Sequence, residues 1–250
     1  MKMHFLESSV EHGLVHRLLG RLTPEKAAQA RRRLRRFSRP ARLGNLRRTA
    51  PFSDEFGYDR GTPVDRYYIE QFLRENRSCV RGRVLEVKDS AYTEQFGTGV
   101  TAKDVLDIDP GNPVATIVAD LASPNVIPDA SFDCFILTQT LQYIYEMRVA
   151  ITHAHRILKP GGSLLATVPA VSPIVDESNL TDYWRFTPQS CSALFGEIFG
   201  HDSIRVRSYG NMLTAIAFLV GMAHEELTER ELAAHDERFA MLISVSALKR

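Results

Sequence analysis

The chain has 250 residues, 24% of them charged and 44% hydrophobic, with a formal net charge of +1. These values fit one soluble globular domain with an appendage, and a chain of this length needs neither disulfides nor metals to bury a core. The longest apolar run, residues 212–223, is too short to span a bilayer, and acidic residues interrupt the first apolar stretch, so we expect no membrane span and no signal peptide.

Cysteine and histidine spacing argues against a metal site. Cys79, Cys134 and Cys191 are far apart and show no C-x-x-C spacing. His153 and His155 lie two positions apart on a predicted helix, so they face different sides of it. We therefore predict free thiols in a reducing, cytoplasmic compartment and no bound metal.

Charge is distributed unevenly along the chain. Residues 1–50 contain thirteen Lys and Arg and three Glu, a net charge of +10, which leaves −9 for the remainder. Apolar residues recur at helical spacing over residues 10–22, and Thr23-Pro24 begins a second helix. We predict a basic helical extension and linker over residues 1–57 and a separate domain over residues 58–250.

The second domain alternates strands with helices. Short apolar runs predict seven strands, at residues 84–87, 105–109, 115–119, 132–137, 163–168, 203–206 and 241–247. Capping signals predict helices from Thr62-Pro63, over residues 147–158, from Thr187-Pro188, after Asn211 and from Thr228. This alternation is typical of a doubly wound α/β fold, and we predict a mostly parallel, seven-stranded, Rossmann-like sheet. Residues 110–113 are too few for a crossover helix, so strands two and three are joined by a bare loop.

Polar residues at the predicted strand ends indicate a nucleoside cofactor. Glu86 lies in the first strand, and Asp109 ends the second strand 23 residues later. An acid at about this distance can accept hydrogen bonds from both ribose hydroxyls. Asp120 ends the third strand, where it can meet an adenine amino group. Thr138 and Gln139 end the fourth strand, where we expect the reacting centre.

These residues stand in motifs that resemble the class I, S-adenosylmethionine-dependent methyltransferases, of the type 11 kind found in bacteria. The similarity covers about residues 80–250, and its most specific part is Arg156-Ile157-Leu158-Lys159-Pro160-Gly161-Gly162. The other matching motifs are Val84-Leu85-Glu86-Val87, Asp107-Ile108-Asp109, Ala119-Asp120-Leu121 and Ser131-Phe132-Asp133. The resemblance implies S-adenosylmethionine as cofactor, with its methionine end at Glu86, its ribose at Asp109 and its adenine at Asp120 and Leu121.

Three residues depart from the family pattern. Lys88 and Ser90 stand where the family has glycines that let the backbone approach the cofactor and adopt positive φ. Lys88 can pair with the cofactor carboxylate or point to solvent. Tyr143 stands where many relatives have a histidine. These departures leave open a catalytically degenerate, methyltransferase-like binding or scaffold module; an NAD-dependent oxidoreductase is a weaker alternative, because G-x-G-x-x-G is missing.

A hydroxyl acceptor would need a base to take its proton. Tyr143 and Asp182 are the predicted catalytic candidates, with Asp65 as a third, although each can equally have a structural role. Residues 183–188 are similar to a segment in bacterial members that work near cell-surface glycan synthesis. We therefore predict methyl transfer to a small-molecule or glycan-type acceptor, at a hydroxyl.

Two arginines precede the first strand, Arg60 and Arg66, each beside an aspartate. They can hold an anionic group through bidentate hydrogen bonds, or they can form salt bridges within the chain. The sequence leaves both alternatives open.

The basic extension suggests an anionic partner. An apolar helical stripe followed by clustered arginines is the two-signal arrangement of peripheral membrane attachment. We expect residues 1–50 to contact an anionic membrane at its cytoplasmic face, with folding onto the acidic domain as the alternative. Specific nucleic-acid binding is not expected, because no aromatic-rich RNA-binding motif accompanies the arginines.

Overall fold

The computed structural model describes residues 23–38, 43–123, 127–177 and 180–250. Contacts divide the chain into two units, with the boundary between Thr49 and Ala50. In the first unit, helix α1 spans Pro24–Ser38, starting at the predicted proline, and a 3-10 turn spans Gly44–Leu46. The helix predicted over residues 10–22 lies outside the described residues.

The second unit is built on a seven-stranded sheet. Its strands are β1 (Gly82–Val87), β2 (Val100–Asp107), β3 (Ile117–Val118), β4 (Phe132–Thr138), β5 (Leu158–Pro169), β8 (Ile204–Tyr209) and β9 (Leu242–Leu248), while β6 (Asp176–Glu177) and β7 (Leu180–Thr181) form a separate hairpin. The strand order is β3-β2-β1-β4-β5-β9-β8; β9 pairs antiparallel with both β5 and β8, whereas the other described pairs in this sheet are parallel. The predicted fold class is confirmed.

Six α-helices in the described part of this unit accompany the sheet: α2 (Val64–Glu75), α3 (Ala91–Phe96), α4 (Met147–Ile157), α5 (Pro188–Phe199), α6 (Met212–Leu219) and α7 (Glu229–Ala233). Alternate residues of each strand face opposite sides of the sheet. Leu85 and Phe135 therefore pack with α4 and α5, whereas Val84 and Ile136 pack with α2 and α6. Both faces are covered, as expected for a parallel sheet.

Local capping chemistry explains several helix starts. Thr187, Asn211 and Thr228 each accept a hydrogen bond from the first turn of α5, α6 and α7, as predicted. The predicted cap at Thr62 is wrong: α2 starts after Pro63, and the N–H of Thr62 donates to the Glu225 carboxylate instead.

The connection between β2 and β3 contains no helix, as predicted. The strand bounds differ from the prediction in the same region, because β2 begins at Val100 and ends at Asp107, and β3 has only two residues. Helix α3 and the β6–β7 hairpin were not predicted. None of the helices in the described ranges is both long and apolar enough to cross a membrane.

Residues 52–63 lie along residues 220–226. The N–H of Phe52 donates to the carbonyl of Val220 at 2.7 Å, and the N–H of His224 donates to the carbonyl of Thr62 at 2.8 Å. Gly221 has φ 72°, and a Cβ there would stand 2.4 Å from the carbonyl oxygen of Ser53. This contact joins the segment that precedes β1 to the segment that follows α6.

Candidate active site

The strand order reverses between β1 and β4. The sheet continues through β2 and β3 on one side, and through β5, β9 and β8 on the other. In open α/β sheets, ligands bind beyond the carboxyl ends of the strands at such a point. Because β1 to β4 are parallel, their ends meet at one edge, so the structure brings the predicted cofactor residues of all four strands to the same edge.

Backbone strain marks two of these strand ends. Lys88, the first residue after β1, has φ 72°, and Gln139, the first residue after β4, has φ 46°. Residues with a Cβ rarely adopt positive φ, and among the described non-glycine residues only Phe56 and Ala130 also do so. Lys88 therefore holds a conformation that glycine adopts readily, and strain of this kind concentrates at functional sites.

Asn112 ties the first two strand ends together. Its side-chain Nδ2 donates to the carbonyl of Lys88 at 2.7 Å and to the Asp107 carboxylate at 2.6 Å. Its Oδ1 accepts the N–H of Val114 at 3.1 Å. All the hydrogen-bonding groups of this side chain are thus in use. The sequence predicts this segment as a bare loop. It gives no sign of the role of Asn112, because nothing in the local pattern points to a partner 24 positions away.

Glu86 is buried beneath the start of α3. Its side chain accepts the N–H groups of Tyr92 and Thr93 at 3.0 and 2.7 Å, and the Thr93 hydroxyl at 2.6 Å. Burial raises the pKa of Glu86 to about 7, although these hydrogen bonds favour the charged form. The residue fixes α3 on β1, and its contact with a cofactor stays a prediction. Ser90 precedes α3 and donates to Glu94 at 3.0 Å.

The structure corrects the placement of two acids. Asp109 and Asp120 do not end β2 and β3; each lies two residues beyond its strand. Asp109 is exposed, and its Oδ1 accepts the N–H of Gly111 at 2.8 Å. Asp107 is the residue that ends β2, where it is half-buried. The sequence Val-Leu-Asp-Ile-Asp contains two acids, Asp107 and Asp109. The pattern alone does not show which of them ends the strand, because that depends on where pairing with β3 stops.

The loop after β3 is held by local contacts. Asp120 accepts the N–H of Ala122 at 2.8 Å and the hydroxyl of Ser123 at 2.7 Å. Leu121 is buried, and its carbonyl oxygen lies 3.1 Å from Nδ1 of His153. His153 therefore anchors this loop. No group of three potential metal ligands occurs among the described residues, and the predicted absence of a metal stays a prediction.

The end of β4 combines strain with an unsatisfied buried atom. Thr138 ends the strand, and a 3-10 turn follows at Leu141–Tyr143. The side chain of Gln142 donates to the carbonyl of Gln139 at 2.9 Å, but its Oε1 has no hydrogen-bond partner among the described residues. Leaving a buried acceptor unpaired is costly, which makes this turn a candidate contact for a ligand donor. Tyr143 is half-buried on the same turn.

The other two predicted bases have different surroundings. The side chain of Asp182 is 1% exposed and accepts two hydrogen bonds from Arg185, at 2.5 and 2.8 Å, and one from the N–H of Val175 at 3.1 Å. Burial raises the pKa of Asp182, but the hydrogen bonds from Arg185, the hydrogen bond from the N–H of Val175 and the charge of Arg185 together hold the pKa below its ordinary value. These contacts give Asp182 a structural role and argue against the predicted catalytic one. Asp65 is buried, which raises its pKa, and its Oδ1 is without a partner in the described chain.

The two arginines that precede β1 differ in their contacts. Arg60 donates two hydrogen bonds to Glu226, at 3.0 and 2.5 Å, which favours the salt-bridge alternative for this residue. Arg66 donates to the hydroxyls of Tyr58 and Tyr92, at 3.0 and 3.1 Å. Because Tyr92 also contacts Glu86 through its N–H, Arg66 lies close to the loop after β1.

Two exposed tyrosines and a half-buried tryptophan form a surface beside the end of β4, which we call the aromatic platform: Tyr145, Tyr183 and Trp184. The ring centroids of Tyr145 and Tyr183 are 5.3 Å apart, and those of Tyr145 and Trp184 are 5.9 Å apart. Tyr145 is 62% exposed and Tyr183 is 46% exposed. The N–H of Tyr183 donates to the carbonyl of Gln142 at 2.9 Å, which joins the platform to the turn after β4. The sequence similarity over residues 183–188 does not reveal this grouping with Tyr145.

Comparison with known proteins agrees with this geometry. A family model described as a methyltransferase domain matches residues 79–166, which span β1 to β5. Over these residues the chain therefore matches a methyltransferase domain. The predicted family, its enzyme class and S-adenosylmethionine as cofactor are confirmed. A search of curated proteins found no match.

Solved structures resemble this chain in fold. A putative S-adenosylmethionine-dependent methyltransferase from Listeria monocytogenes has a TM-score of 0.50 at 12% identity, covering 75% of this chain and 97% of that one. The methyltransferase (CMeT) domain of the citrinin polyketide synthase has a TM-score of 0.50 at 12% identity, covering 79% and 58% of the two chains. The N-methyltransferase NodS from Bradyrhizobium japonicum, solved with S-adenosyl-L-homocysteine, has a TM-score of 0.48 at 15% identity, covering 80% and 94%. At these identities the likeness concerns the fold alone.

Proposed function

We propose that the protein transfers a methyl group from S-adenosylmethionine to a hydroxyl of a small-molecule or glycan-type acceptor, at the edge where β1 to β4 end. The observation that carries this proposal is the pair of strained residues, Lys88 and Gln139, directly after the two strands at the reversal of strand order. When bound, the cofactor supplies an activated methyl group on its sulfonium. The chain has to align the acceptor with that group and exclude water.

The residues present fit this cofactor. Asp107 ends β2 and accepts the side chain of Asn112 and the N–H of Asp109, which leaves acceptor positions on its carboxylate for ribose hydroxyls. Asp109 has its carboxylate on the next turn of the loop and is exposed. We therefore assign the ribose to Asp107, in place of the residue that the sequence suggested.

The remaining cofactor roles keep their predicted residues. Asp120 and Leu121 follow β3 and would meet the adenine. Lys88 follows β1, where its ammonium would pair with the carboxylate of the methionine end, with Glu86 holding the backbone around it. Thr138 and Gln139 would face the reacting methyl group from the end of β4.

Tyr143 is the base candidate that we retain. Its turn follows β4, beside the unpaired Oε1 of Gln142. In this proposal the acceptor hydroxyl donates a hydrogen bond to the oxygen of Tyr143 or of Gln142, which holds the hydroxyl oxygen for attack. As the methyl group is transferred, the hydroxyl proton passes to the phenol oxygen of Tyr143, and the phenol's own proton leaves to solvent. Asp182 has a structural role in this proposal, through its ion pair with Arg185.

The aromatic platform supports a sugar ring as the part of the acceptor that is recognised. An aromatic face is electron-rich, so it attracts the C–H groups on one side of a pyranose ring. Exposed apolar patches of this kind mark interaction sites and ligand-binding grooves. The platform is joined to Gln142 by a backbone hydrogen bond, so a ring stacked on it would place its hydroxyls near the end of β4.

Calorimetry with S-adenosylhomocysteine tests the cofactor assignment. Asp107→Asn is expected to weaken binding by about 1.5–3 kcal/mol, because hydrogen bonds to a carboxylate become hydrogen bonds to an amide. Asp109→Asn is the matched control, with the same change of charge two residues away, and is expected to have little effect. The reverse pattern would restore the ribose to Asp109, and no binding by the unaltered protein would leave only the degenerate binding module.

The intrinsic fluorescence of Trp184 tests the acceptor class, because this is the only tryptophan in the chain. Titration with methyl glycosides in the presence of S-adenosylhomocysteine should change the emission, whereas sorbitol, a polyol without a ring, should not. The replacement Tyr183→Ala should weaken the response. Equal responses to the glycosides and to sorbitol would contradict a platform for sugar rings.

A further inference from the structure

Helix α1 has no buried residue over its whole length of 15 residues. It carries six cations, Lys26, Arg31, Arg32, Arg33, Arg35 and Arg36, against a single acid, Glu25. Cations in the last turn are favoured by the helix dipole, which accounts for Arg35 and Arg36. The dipole does not account for the others, which lie in the body of the helix, so the cluster needs another explanation.

The helix also has an apolar side. Ala27, Ala30, Leu34 and Phe37 are separated by three, four and three positions, a spacing that places them on one stripe of an α-helix. Phe37 is 87% exposed and Leu34 is 45% exposed. Large apolar residues with this much exposure, aligned on one stripe, are unusual unless something else covers them.

The arrangement of the cations around this stripe is informative. At 100° per residue, Arg31 and Arg33 flank the stripe on its two sides, while Arg32 and Arg36 lie on the opposite face. Nucleic-acid phosphates would engage the cations but give the stripe no apolar partner. An anionic lipid surface can take both, since the stripe enters the boundary between headgroups and acyl chains while the flanking arginines stay among the phosphates.

We propose that α1 lies on the surface of an anionic phospholipid bilayer, with Leu34 and Phe37 inserted and the arginines at the headgroups. Attachment of this kind is reversible and depends on two signals, apolar insertion and charge. Salt screens the second signal but not the first. The inference is independent of the methyl-transfer chemistry.

Co-sedimentation of the full chain with vesicles tests the proposal. The vesicles are phosphatidylcholine alone, or phosphatidylcholine with about one third phosphatidylserine. The chain is expected to pellet with the second kind at about 0.1 M salt, and to be largely released at about 0.5 M salt. It is expected to stay in the supernatant with phosphatidylcholine alone.

Two matched variants separate apolar insertion from charge. The stripe variant, Leu34→Ser with Phe37→Ser, removes the inserted side chains and leaves every charge in place. It is expected to weaken partitioning about tenfold or more, since each lost side chain forfeits apolar burial. The control, Ala28→Ser with Gln29→Ser, makes two serine substitutions on the polar side of the same helix and is expected to bind like the unaltered chain. Circular dichroism checks that both keep their helix content.

Three results would overturn the proposal. The first is absence of binding to anionic vesicles at low salt, which would fit an extension that folds onto the acidic remainder of the chain. The second is equal binding by the stripe variant and its control, which would reduce the interaction to charge alone. The third is binding to a mixed-sequence DNA oligonucleotide but not to vesicles, which would assign the cations to nucleic acid.

Discussion

The side chain of Asn112 is expected to control cofactor affinity by holding Lys88 in its unfavourable conformation. For a residue with a Cβ, the left-handed region costs about 1–2 kcal/mol. In an unconstrained chain, a residue with a Cβ would occupy that region only a few to about 20% of the time, whereas glycine would occupy it about as readily as any other. The hydrogen bond from Asn112 to the carbonyl of Lys88 offsets this cost before a ligand arrives.

The perturbation is Asn112→Ala. It removes two donated hydrogen bonds, to Lys88 and to Asp107, and one accepted from Val114. Because the contacts are partly exposed, water replaces some of them, and we expect a net loss of about 1–2 kcal/mol, or roughly five- to thirty-fold in the Kd for S-adenosylhomocysteine. Isothermal titration calorimetry measures this Kd, and thermal unfolding checks that the variant is folded.

Repeating Asn112→Ala in two other backgrounds tests whether Asn112 acts through the backbone conformation of Lys88. In the Lys88→Gly background the hydrogen bond from Asn112 has less backbone strain to offset. Asn112→Ala should therefore weaken cofactor binding by about 1 kcal/mol less than it does in the unaltered protein. In Lys88→Ala the ammonium is lost but the strain remains, so the cost should match that in the unaltered protein. Equal costs in all three backgrounds would refute the role in backbone conformation, and an unchanged Kd in Asn112→Ala would refute the clamp altogether.

Three further outcomes concern stability. Glu86 has a pKa raised to about 7, so the folded protein binds the carboxyl proton more tightly than the unfolded chain does. The free energy of unfolding should therefore fall as pH rises from about 4.5 to 7. Urea titrations at several pH values should show a weaker pH dependence in Glu86→Gln. Asp182→Asn should lower the free energy of unfolding by about 2–3 kcal/mol, because it breaks the pair with Arg185. If Asp182 were instead a base without a structural role, the same substitution would lower kcat and leave stability unchanged. Gly221→Ala should lower the melting temperature more than Gly99→Ala; both glycines have φ 72°, but only a Cβ at Gly221 meets the backbone of Ser53.

The order of strands and helices could be predicted because its signals are local. Apolar runs marked β1, β4 and β5, and caps such as Thr187 and Asn211 fixed where helices begin. These signals depend on residues within a few positions of one another, which is where sequence pattern is most informative. The sheet type followed from the alternation of the elements.

The chemistry at the strand ends was harder to predict, because it depends on partners that are distant in sequence. A strand ends where its neighbour stops pairing, and β3 pairs with β2 only at Leu106 and Asp107. That pairing moves the carboxylate at the end of β2 from the predicted Asp109 to Asp107. In the same way, Arg185 makes Asp182 a poor base, which a list of acids near a cleft does not reveal.

The altered first loop can be understood from these long-range contacts. From the sequence alone, Lys88 in place of glycine suggests a degenerate cofactor-binding loop. In the structure, the lysine has φ 72°, and Asn112 from the next loop holds it there. A lysine in this conformation keeps its carbonyl and N–H directed as a glycine would, and adds an ammonium at the edge where a carboxylate is expected. The departure from the family pattern is therefore better explained as an exchange: backbone freedom is lost, the hydrogen bond from Asn112 in the loop after β2 compensates for it, and a cation is gained. This explanation commits Lys88 and Asn112 to a joint role, which the three backgrounds described above can separate.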